Sequence, residues 1–367
     1  MTAVANQKQS SSVHDITDDK PPFGSRFLTD EAEVWTQNAW DHVPAPDDQD
    51  EIISAALQRQ RNNPVPEDSQ IHYNNRPARH WDTFYRNNAN NFFKDRKWLH
   101  NEFRELVSAT EANAGPVTIV EVGCGVGNSV FPLLATNTNP ELTLHAFDYS
   151  QQAIKVLKSN PLYAAPPTGT IEAGVWDLTS DTLPEQVAPS SADIVIMVFV
   201  FSALHPNEWT QAVANVHRML KPNGLVLFRD YGRYDMAQLR FKGGRLLDEN
   251  FYIRGDKTRV YFFELDELAL LFTGSRAEVQ QAAATLVTEV MDEQADGTSI
   301  PLAASDLEEI PVPDPQIHPI LSSSPRPSLF TTQQLGVDRR LLLNRKRQVK
   351  MYRVWMQAKF QKRSNEG

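Results

Sequence analysis

The chain has 367 residues, 41% hydrophobic and 22% charged, and its formal net charge is −10 from 36 Lys+Arg against 46 Asp+Glu. That is globular composition, long enough for about two domains at ~150 residues each. The single cysteine, Cys124, excludes a disulfide framework and a cysteine-based zinc site; no metal centre is expected, and there is no run of 18 apolar residues to span a membrane. The N-terminal twenty residues carry Asp but no Arg and have no apolar core, so they read as neither a secretory nor a mitochondrial leader. A cytoplasmic location is expected, with the nucleus as the other option.

Residues 1–22 are polar and read as a disordered tail. Residues 23–75 hold Phe23, Phe27, Trp35 and Trp40, too many aromatics for a linker. A helical pattern over 51–61, bracketed by Pro44, Pro46, Pro64 and Pro66, marks this as an extension that packs on something larger. A second domain is expected over 76–273. It opens with a helical stretch, 80–107, rich in aromatic and basic residues together. Apolar runs follow at 117–122, 142–148, 169–177, 192–202 and 225–230, separated by helical patterns such as 209–220. Five buried strands alternating with helices predict an open, mostly parallel α/β sheet. A short strand at 258–264 and a helix at 266–272 close the domain.

Charge divides the rest. From Ala277 to Pro325 there are nine acids and no Lys or Arg, and seven prolines lie between Pro301 and Pro327. Residues 274–329 therefore read as an acidic, Pro-rich, flexible insertion with one helix near 277–290. Residues 330–367 read as a basic hairpin, strands 336–343 and 348–360 over the turn Arg345-Lys346-Arg347, which adds antiparallel strands to make a seven-stranded sheet. From Arg339 to Arg363 there are ten Lys/Arg and no acid. Such a run is a phosphate-binding surface or a strand edge guarded by cations, and charge alone does not choose.

The sharpest motif is Glu121-Val122-Gly123-Cys124-Gly125-Val126-Gly127-Asn128, after a strand and before a helix. Glycines there permit a tight turn and close approach of a ligand to the backbone. A dinucleotide site wants G-x-G-x-x-G, whereas the spacing here is G-x-G-x-G. With an acid two residues ahead of Gly123, it suits S-adenosyl-L-methionine, a zwitterion without a pyrophosphate. Asp148, 25 residues after Gly123, ends the next strand and can accept both ribose hydroxyls. Asp177 and Leu178 end the third and can meet the adenine amino group and a ring nitrogen. Each Asp alone is more often a turn residue. Three strand ends in register point to a ligand at the carboxyl edge of a parallel sheet, the mark of a class I, Rossmann-like methyltransferase.

Cys124 sits inside the cofactor loop, so it cannot be the nucleophile that pyrimidine C5 methylation requires. No [DN]-P-P-[YF] motif follows the fourth strand, which ends Phe201-Ser202-Ala203-Leu204-His205-Pro206. A ring nitrogen with a free lone pair needs neither device, and a carboxylate nearby would stabilise the cationic product ring. Strand five offers Arg229, Asp230 and Tyr231: the carboxylate is expected beside the target and the tyrosine against a base, unless Arg229 and Asp230 only pair with each other. His205 reads as a loop residue more readily than a catalytic one.

The stretches HWDTFYRNNANNFFKDRKWLHNEF, EVGCGVGNSVFPLL, FVFSALHP, RDYGRYDMAQLRF with FYIRGDKTRVYFF, and DRRLLLNRKRQVKMYRVWMQAKF resemble the tRNA N3-methylcytidine methyltransferases, over about Phe23 to Phe360 apart from the insertion. FGSRFLTDEAEVWTQNAWDHV resembles the longer branch, which acts on threonine tRNAs. The resemblance implies methylation of cytidine 32 in the anticodon loop, with threonine tRNAs and, in some relatives, serine tRNAs as substrates. For the serine tRNAs seryl-tRNA synthetase is the partner. It implies that Trp81 and Tyr85 close over S-adenosyl-L-methionine and that Gly123, Gly125, Asp148, Asp177, Leu178 and Val198 line its site. Read without it, Trp81 and Tyr85 are a core aromatic pair one helical turn apart. Phosphate contacts are expected from Arg76, Arg79, Arg86, Lys94, Arg96 and Lys97, from Arg339, Arg340, Arg345, Lys346, Arg347 and Lys350, and from Arg254 and Arg259. A monomer is expected. The competing readings are a methyltransferase for a small molecule or protein, and a non-catalytic RNA-binding scaffold.

Overall fold

The computed structural model describes residues 14–15, 28, 31–37, 39–41, 43, 49–277, 317–322, 326–346 and 348–364. The tail 1–22 except 14–15, most of 23–48, the insertion from 278 to 316 with its expected helix, and Arg347 lie outside the described residues.

A single large sheet organises the chain. Its seven principal strands are β1 (Val117–Val122), β2 (Leu142–Asp148), β3 (Thr170–Val175), β4 (Ala192–Val198), β5 (Leu220–Tyr231), β6 (Phe330–Asn344) and β7 (Val349–Lys362), in the spatial order β3-β2-β1-β4-β5-β7-β6. The first five pair in parallel, and β7 enters antiparallel between β5 and β6. Short strands His14–Asp15 and Ala39–Asp41 add to the outer edge of β6, so the sheet has nine strands. Ile119, Ile194, Ile196 and Leu227 point to one face and Val120, Val195, Met197 and Phe228 to the other, each set inside its own apolar cluster. Burial on both faces is why β4 is apolar from Ile194 to Val198.

The order reverses between β1 and β4: from β1 the chain proceeds outward through β2 to β3, then crosses to the other side for β4 and β5. The crevice above their carboxyl ends is the switch point at which open α/β sheets take ligands.

Numbering the helices of eight residues or more, α1 is Gln49–Arg61, α2 Glu67–Asn74, α3 Pro77–Asn88, α4 Gln151–Lys158, α5 Trp209–Met219 and α6 Leu265–Thr273. The single helix expected over 80–107 is instead three pieces: α3, then Leu99–Glu102 and Arg104–Ala109. Asn-rich sequence ends α3, where Ala89 takes φ 47° and polar side chains compete for backbone groups. Strand β4 stops at Val198, shorter than its apolar run, because Phe199 turns the chain with φ 56° and Phe201–Ala203 forms a 3₁₀ turn. The strand expected at 258–264 shrinks to Arg259–Tyr261. It belongs to a separate antiparallel sheet with Phe251–Ile253 and Leu246–Asp248.

Helix α1 docks on that small lobe through a buried glutamine. Gln60 Nε2 donates to the Gln238 carbonyl at 2.8 Å and its Oε1 accepts from the Tyr252 hydroxyl at 2.8 Å. Among the described residues no helix is long and apolar enough to cross a membrane.

Candidate active site

The cleft above β1–β4 encloses ≈ 540 Å³ including its open mouth, lined by Trp81, Tyr85, Val122, Gly123, Asp148, Tyr149, Trp176, Asp177, Leu178, Phe199, Val200, Ala203 and Leu204. That is the size and apolar character of a small-molecule site. The β1 turn needs its glycines for two reasons. Gly123 and Gly125 have φ of 66° and 55°, and a Cβ on them would lie 2.2 Å from Val200 Cγ2 and 2.6 Å from the Tyr85 hydroxyl. The backbone is thus bare where the far wall and the α3 aromatics come closest.

Asp148 is the buried carboxylate of the cleft. Its Oδ2 accepts from Gly125 N–H at 2.9 Å and its Oδ1 from Ser150 N–H at 2.8 Å. Burial nonetheless pushes its carboxyl up to about 6, the two N–H donors only partly offsetting it. A carboxylate has about four acceptor sites, so two remain for hydroxyl donors from a ligand. Ser150 extends the order outward. Its Oγ donates to Asp82 Oδ1 at 2.7 Å and accepts from Ala153 N–H as the cap of α4. Asp82 therefore ties α3 down, with Trp81 and Tyr85 stacked 5.9 Å apart across the cleft's side.

Asp177 is exposed and spends Oδ1 on the backbone and hydroxyl of Thr179, at 2.9 and 2.7 Å. Leu178 is buried, its carbonyl held by Asn215 Nδ2 at 2.8 Å. Glu121, two residues before Gly123, is fully buried, and burial pushes it up to about 7. Its nearest cation is Arg96, with Nη1 at 3.5 Å.

Several residues lie elsewhere than expected. Val198 is packed in the core beneath the cleft and does not line it. Arg229 and Asp230 do not pair, since neighbours in a strand face opposite sides. Arg229 is wedged between Trp98 and Trp355, its guanidinium 5.0 and 4.8 Å from their ring centroids, bonded to Gln357 Oε1 and ion-paired with Asp338 at 2.5 Å. It is 3% exposed there.

Asp230 is buried without access to the cleft. Its Oδ2 accepts from Ser202 N–H at 2.9 Å and its Oδ1 from Tyr231 N–H at 2.8 Å, and burial pushes its carboxyl up to about 6. It anchors the loop 199–204 that forms one cleft wall. Tyr231 is half-buried, its ring 5.0 Å from Phe199 and 5.4 Å beneath the Arg254 guanidinium.

The cations separate into two groups. Arg76, Arg79, Arg86, Lys94, Lys97, Arg345, Lys346 and Lys350 are exposed. Arg340 instead pairs with Asp338, Asp41 and Glu102, and Arg259, 3% exposed, bonds the Ala203 carbonyl and Glu208. Arg339 is half-buried. Arg96 is turned inward, donating to Ser129 Oγ at 3.0 Å. His205 holds a capping box with Glu208, and burial lowers its ring below the ordinary histidine value.

A methyltransferase domain model matches residues 120–226. The tRNA N(3)-methylcytidine methyltransferase trm140 of Schizosaccharomyces pombe is 40% identical over 359 residues, covering 98% of this chain and 98% of its own. This chain belongs to the tRNA N(3)-methylcytidine methyltransferase family. The tRNA(Thr) (cytosine(32)-N(3))-methyltransferase of Saccharomyces cerevisiae is 42% identical over 344 residues, 92% of this chain and 45% of that protein, so the chain spans about half of that relative's length. The tRNA N(3)-cytidine methyltransferase METTL2 of Danio rerio is 36% identical over 375 residues, 94% of this chain and 90% of its own.

The cleft of this N(3)-methylcytidine methyltransferase fits S-adenosyl-L-methionine as methyl donor. A buried carboxylate with two open acceptor sites suits ribose hydroxyls, and the apolar wall at Leu178 and Leu204 suits a purine. Tyr149, Trp176, Phe199, Val200, Ala203 and Leu204 escaped the sequence reading. Their signal was position alone, since each directly follows or closely trails a strand end.

Proposed function

We propose that this chain transfers a methyl group from S-adenosyl-L-methionine to N3 of cytidine 32 in the anticodon loop of threonine tRNA. The observation that carries this is the continuity of two sites. Phe199 both lines the cleft around Asp148 and touches Tyr231, so a donor and an aromatic base platform share one wall. Relatives named for that reaction support it.

Bound in the cleft, S-adenosyl-L-methionine supplies an electrophilic methyl group. Asp148 accepts its ribose hydroxyls, Asp177 and the Leu178 N–H read its adenine, and Trp81 and Tyr85 on α3 cover it and exclude water. N3 of cytosine lies on the Watson–Crick edge and carries a free lone pair; once unpaired and aligned it would bond to the methyl carbon as the carbon–sulfur bond breaks, its electron pair leaving with sulfur as the neutral thioether S-adenosyl-L-homocysteine. Methylation leaves the ring cationic. The buried carboxyl of Asp230, at about 6 and so mostly ionised at neutral pH, supplies a negative potential that favours that charge, without contact.

Phosphates are held by the exposed cations of two regions, Arg76, Arg79, Arg86, Lys94 and Lys97 on one side and Arg345, Lys346 and Lys350 on the hairpin. The extension 23–75 adds RNA or partner surface, 76–273 carries the chemistry, and 330–367 completes the sheet. The enzyme acts as a cytoplasmic monomer on threonine tRNA, and seryl-tRNA synthetase is the partner that would extend it to serine tRNAs.

The test is a panel of purified tRNAs with the protein and S-adenosyl-L-methionine, with and without threonyl- or seryl-tRNA synthetase, read by nucleoside mass spectrometry. Threonine tRNA is expected to gain 3-methylcytidine at position 32 without a synthetase. Absence of 3-methylcytidine from every tRNA overturns the proposal.

A further inference from the structure

Resting on the reading above, we infer that the face of the Tyr231 ring now covered by Arg254 is the seat of the target pyrimidine, and that Arg254 is a placeholder which the base displaces onto a backbone phosphate. Three observations converge. Phe199, the wall shared with the donor cleft, holds φ 56°, a costly conformation for a bulky residue. It is pinned there by its N–H bond to the Arg229 carbonyl at 2.8 Å. That turn presents the ring to Tyr231 at 5.0 Å and 47°, so two aromatic rings meet at the mouth of the cleft.

Arg254 is the second observation. Its neighbours Arg229, Arg233, Arg259 and Arg353 are all ion-paired to carboxylates. The Arg254 guanidinium instead rests on the Tyr231 ring, 5.4 Å from its centroid, with no ion pair among the described residues. A half-buried guanidinium that meets the buried Asp230 carboxylate only through space, with no ion pair among the described residues, and lies over a ring beside a reaction site is a group open to a closer anion.

The third is chemistry. A base has a π-face for Tyr231, while a nucleotide also brings a phosphate for the cation that must leave. An arginine kept against the base itself would oppose the positive charge that N3 methylation creates; moved to the phosphate it does not.

The decisive measurement compares threonine tRNA carrying cytidine at position 32 with the same tRNA abasic there. The native protein is expected to prefer the base-bearing RNA by roughly 5- to 150-fold, the range of one base stacked on an aromatic ring. Tyr231→Leu and Phe199→Leu should bring that ratio towards one, Tyr231→Phe should keep it, and donor binding by Tyr231→Phe reports that the fold is intact. Arg254→Ala should keep the ratio but lower the slope of log affinity against log salt by about 1. A native ratio near one, a Tyr231→Leu variant with the native ratio, or an Arg254→Ala variant with an unchanged slope overturns the inference. The two readings fail separately. If native protein forms 3-methylcytidine without discriminating the abasic RNA, only this inference falls; if it discriminates but forms none, the proposed reaction falls.

Discussion

The tips of β2 and β5 each carry a buried aspartate, and the two are close to chemically equivalent. Asp148 and Asp230 both accept two backbone N–H groups, and both are pushed up to about 6 by burial. They differ in what they join. Asp148 bridges the β1 turn at Gly125 and the cap of α4 at Ser150, and it stands in the cleft between them. Asp230 bridges Ser202 and its own neighbour Tyr231 and has no exposed surface. A strand-end carboxylate becomes a binding group when the loops it ties leave it facing the crevice. When the tied loop folds over it, the same carboxylate becomes a positioning residue.

The largest test of that contrast is Asp148→Ala. Losing two hydrogen bonds to a charged acceptor, each worth roughly 1.5–3 kcal/mol, should weaken S-adenosyl-L-methionine binding about 10²- to 10⁴-fold by calorimetry. A loss below ten-fold would make Asp148 another structural carboxylate. Asp230→Ala comes next. Freed from its bond, the Ser202 N–H is stranded in the core and the loop 199–204 loosens, so donor affinity should fall about ten-fold. Methylation should fall further and the melting temperature should drop. Full donor affinity with no methylation would return Asp230 to the place beside the target that the sequence suggested.

The pH dependence sharpens the contrast with a smaller effect. Ribose hydroxyls need an ionised acceptor, so donor affinity should decline below about pH 6, by up to ten-fold per pH unit, and Asp148→Asn should flatten the decline. Stability moves the opposite way. Carboxyls at about 6 in the fold, against about 4 in the unfolded chain, take up protons on folding between those values. Their contribution to stability therefore grows as the pH falls through that window and is lost as it rises towards 7. Thermal melts of native protein and Asp148→Asn without donor, at pH 5 and 7.5, isolate this share.

Much of the molecule was legible because burial writes itself into pattern. Five apolar runs separated by helical ones gave the sheet, and Gly123, Gly125, Asp148 and Asp177 fell where strand ends had to be. What stayed illegible depended on direction. Strand alternation places Arg229 and Asp230 on opposite faces, yet which face opens to the cleft is settled by Trp98 and Trp355, far away in sequence. Phe199 reads as the continuation of an apolar strand, since nothing in its neighbours announces a positive φ. Aromatic and basic residues at 80–107 looked like one amphipathic surface, although Arg96 turns inward to Glu121 while Lys94 and Lys97 remain in solvent.

The hairpin repeats the lesson with positive charge and yields the smallest expected effect. Arg340 and the pair Arg345 and Lys346 belong to one basic run, but Arg340 faces Asp338, Asp41 and Glu102 whereas the other two are exposed at the turn. Removing Arg340 takes one cation from three buried carboxylates, although Asp338 keeps Arg229, and weakening buried pairs costs more than any exposed pair is worth. Arg340→Ala should therefore lower the melting temperature by several degrees, and its effect on tRNA should follow from that loss. Arg345→Ala with Lys346→Ala should leave the melting temperature within a degree or so. Near physiological salt it should weaken tRNA binding only several-fold and reduce the salt slope by about 2, one for each phosphate released. An unchanged slope would transfer the phosphate contacts to Arg76, Arg79, Lys94 and Lys97. The hairpin's turn charges would then be the guarded strand edge that their alternation with apolar residues also allows.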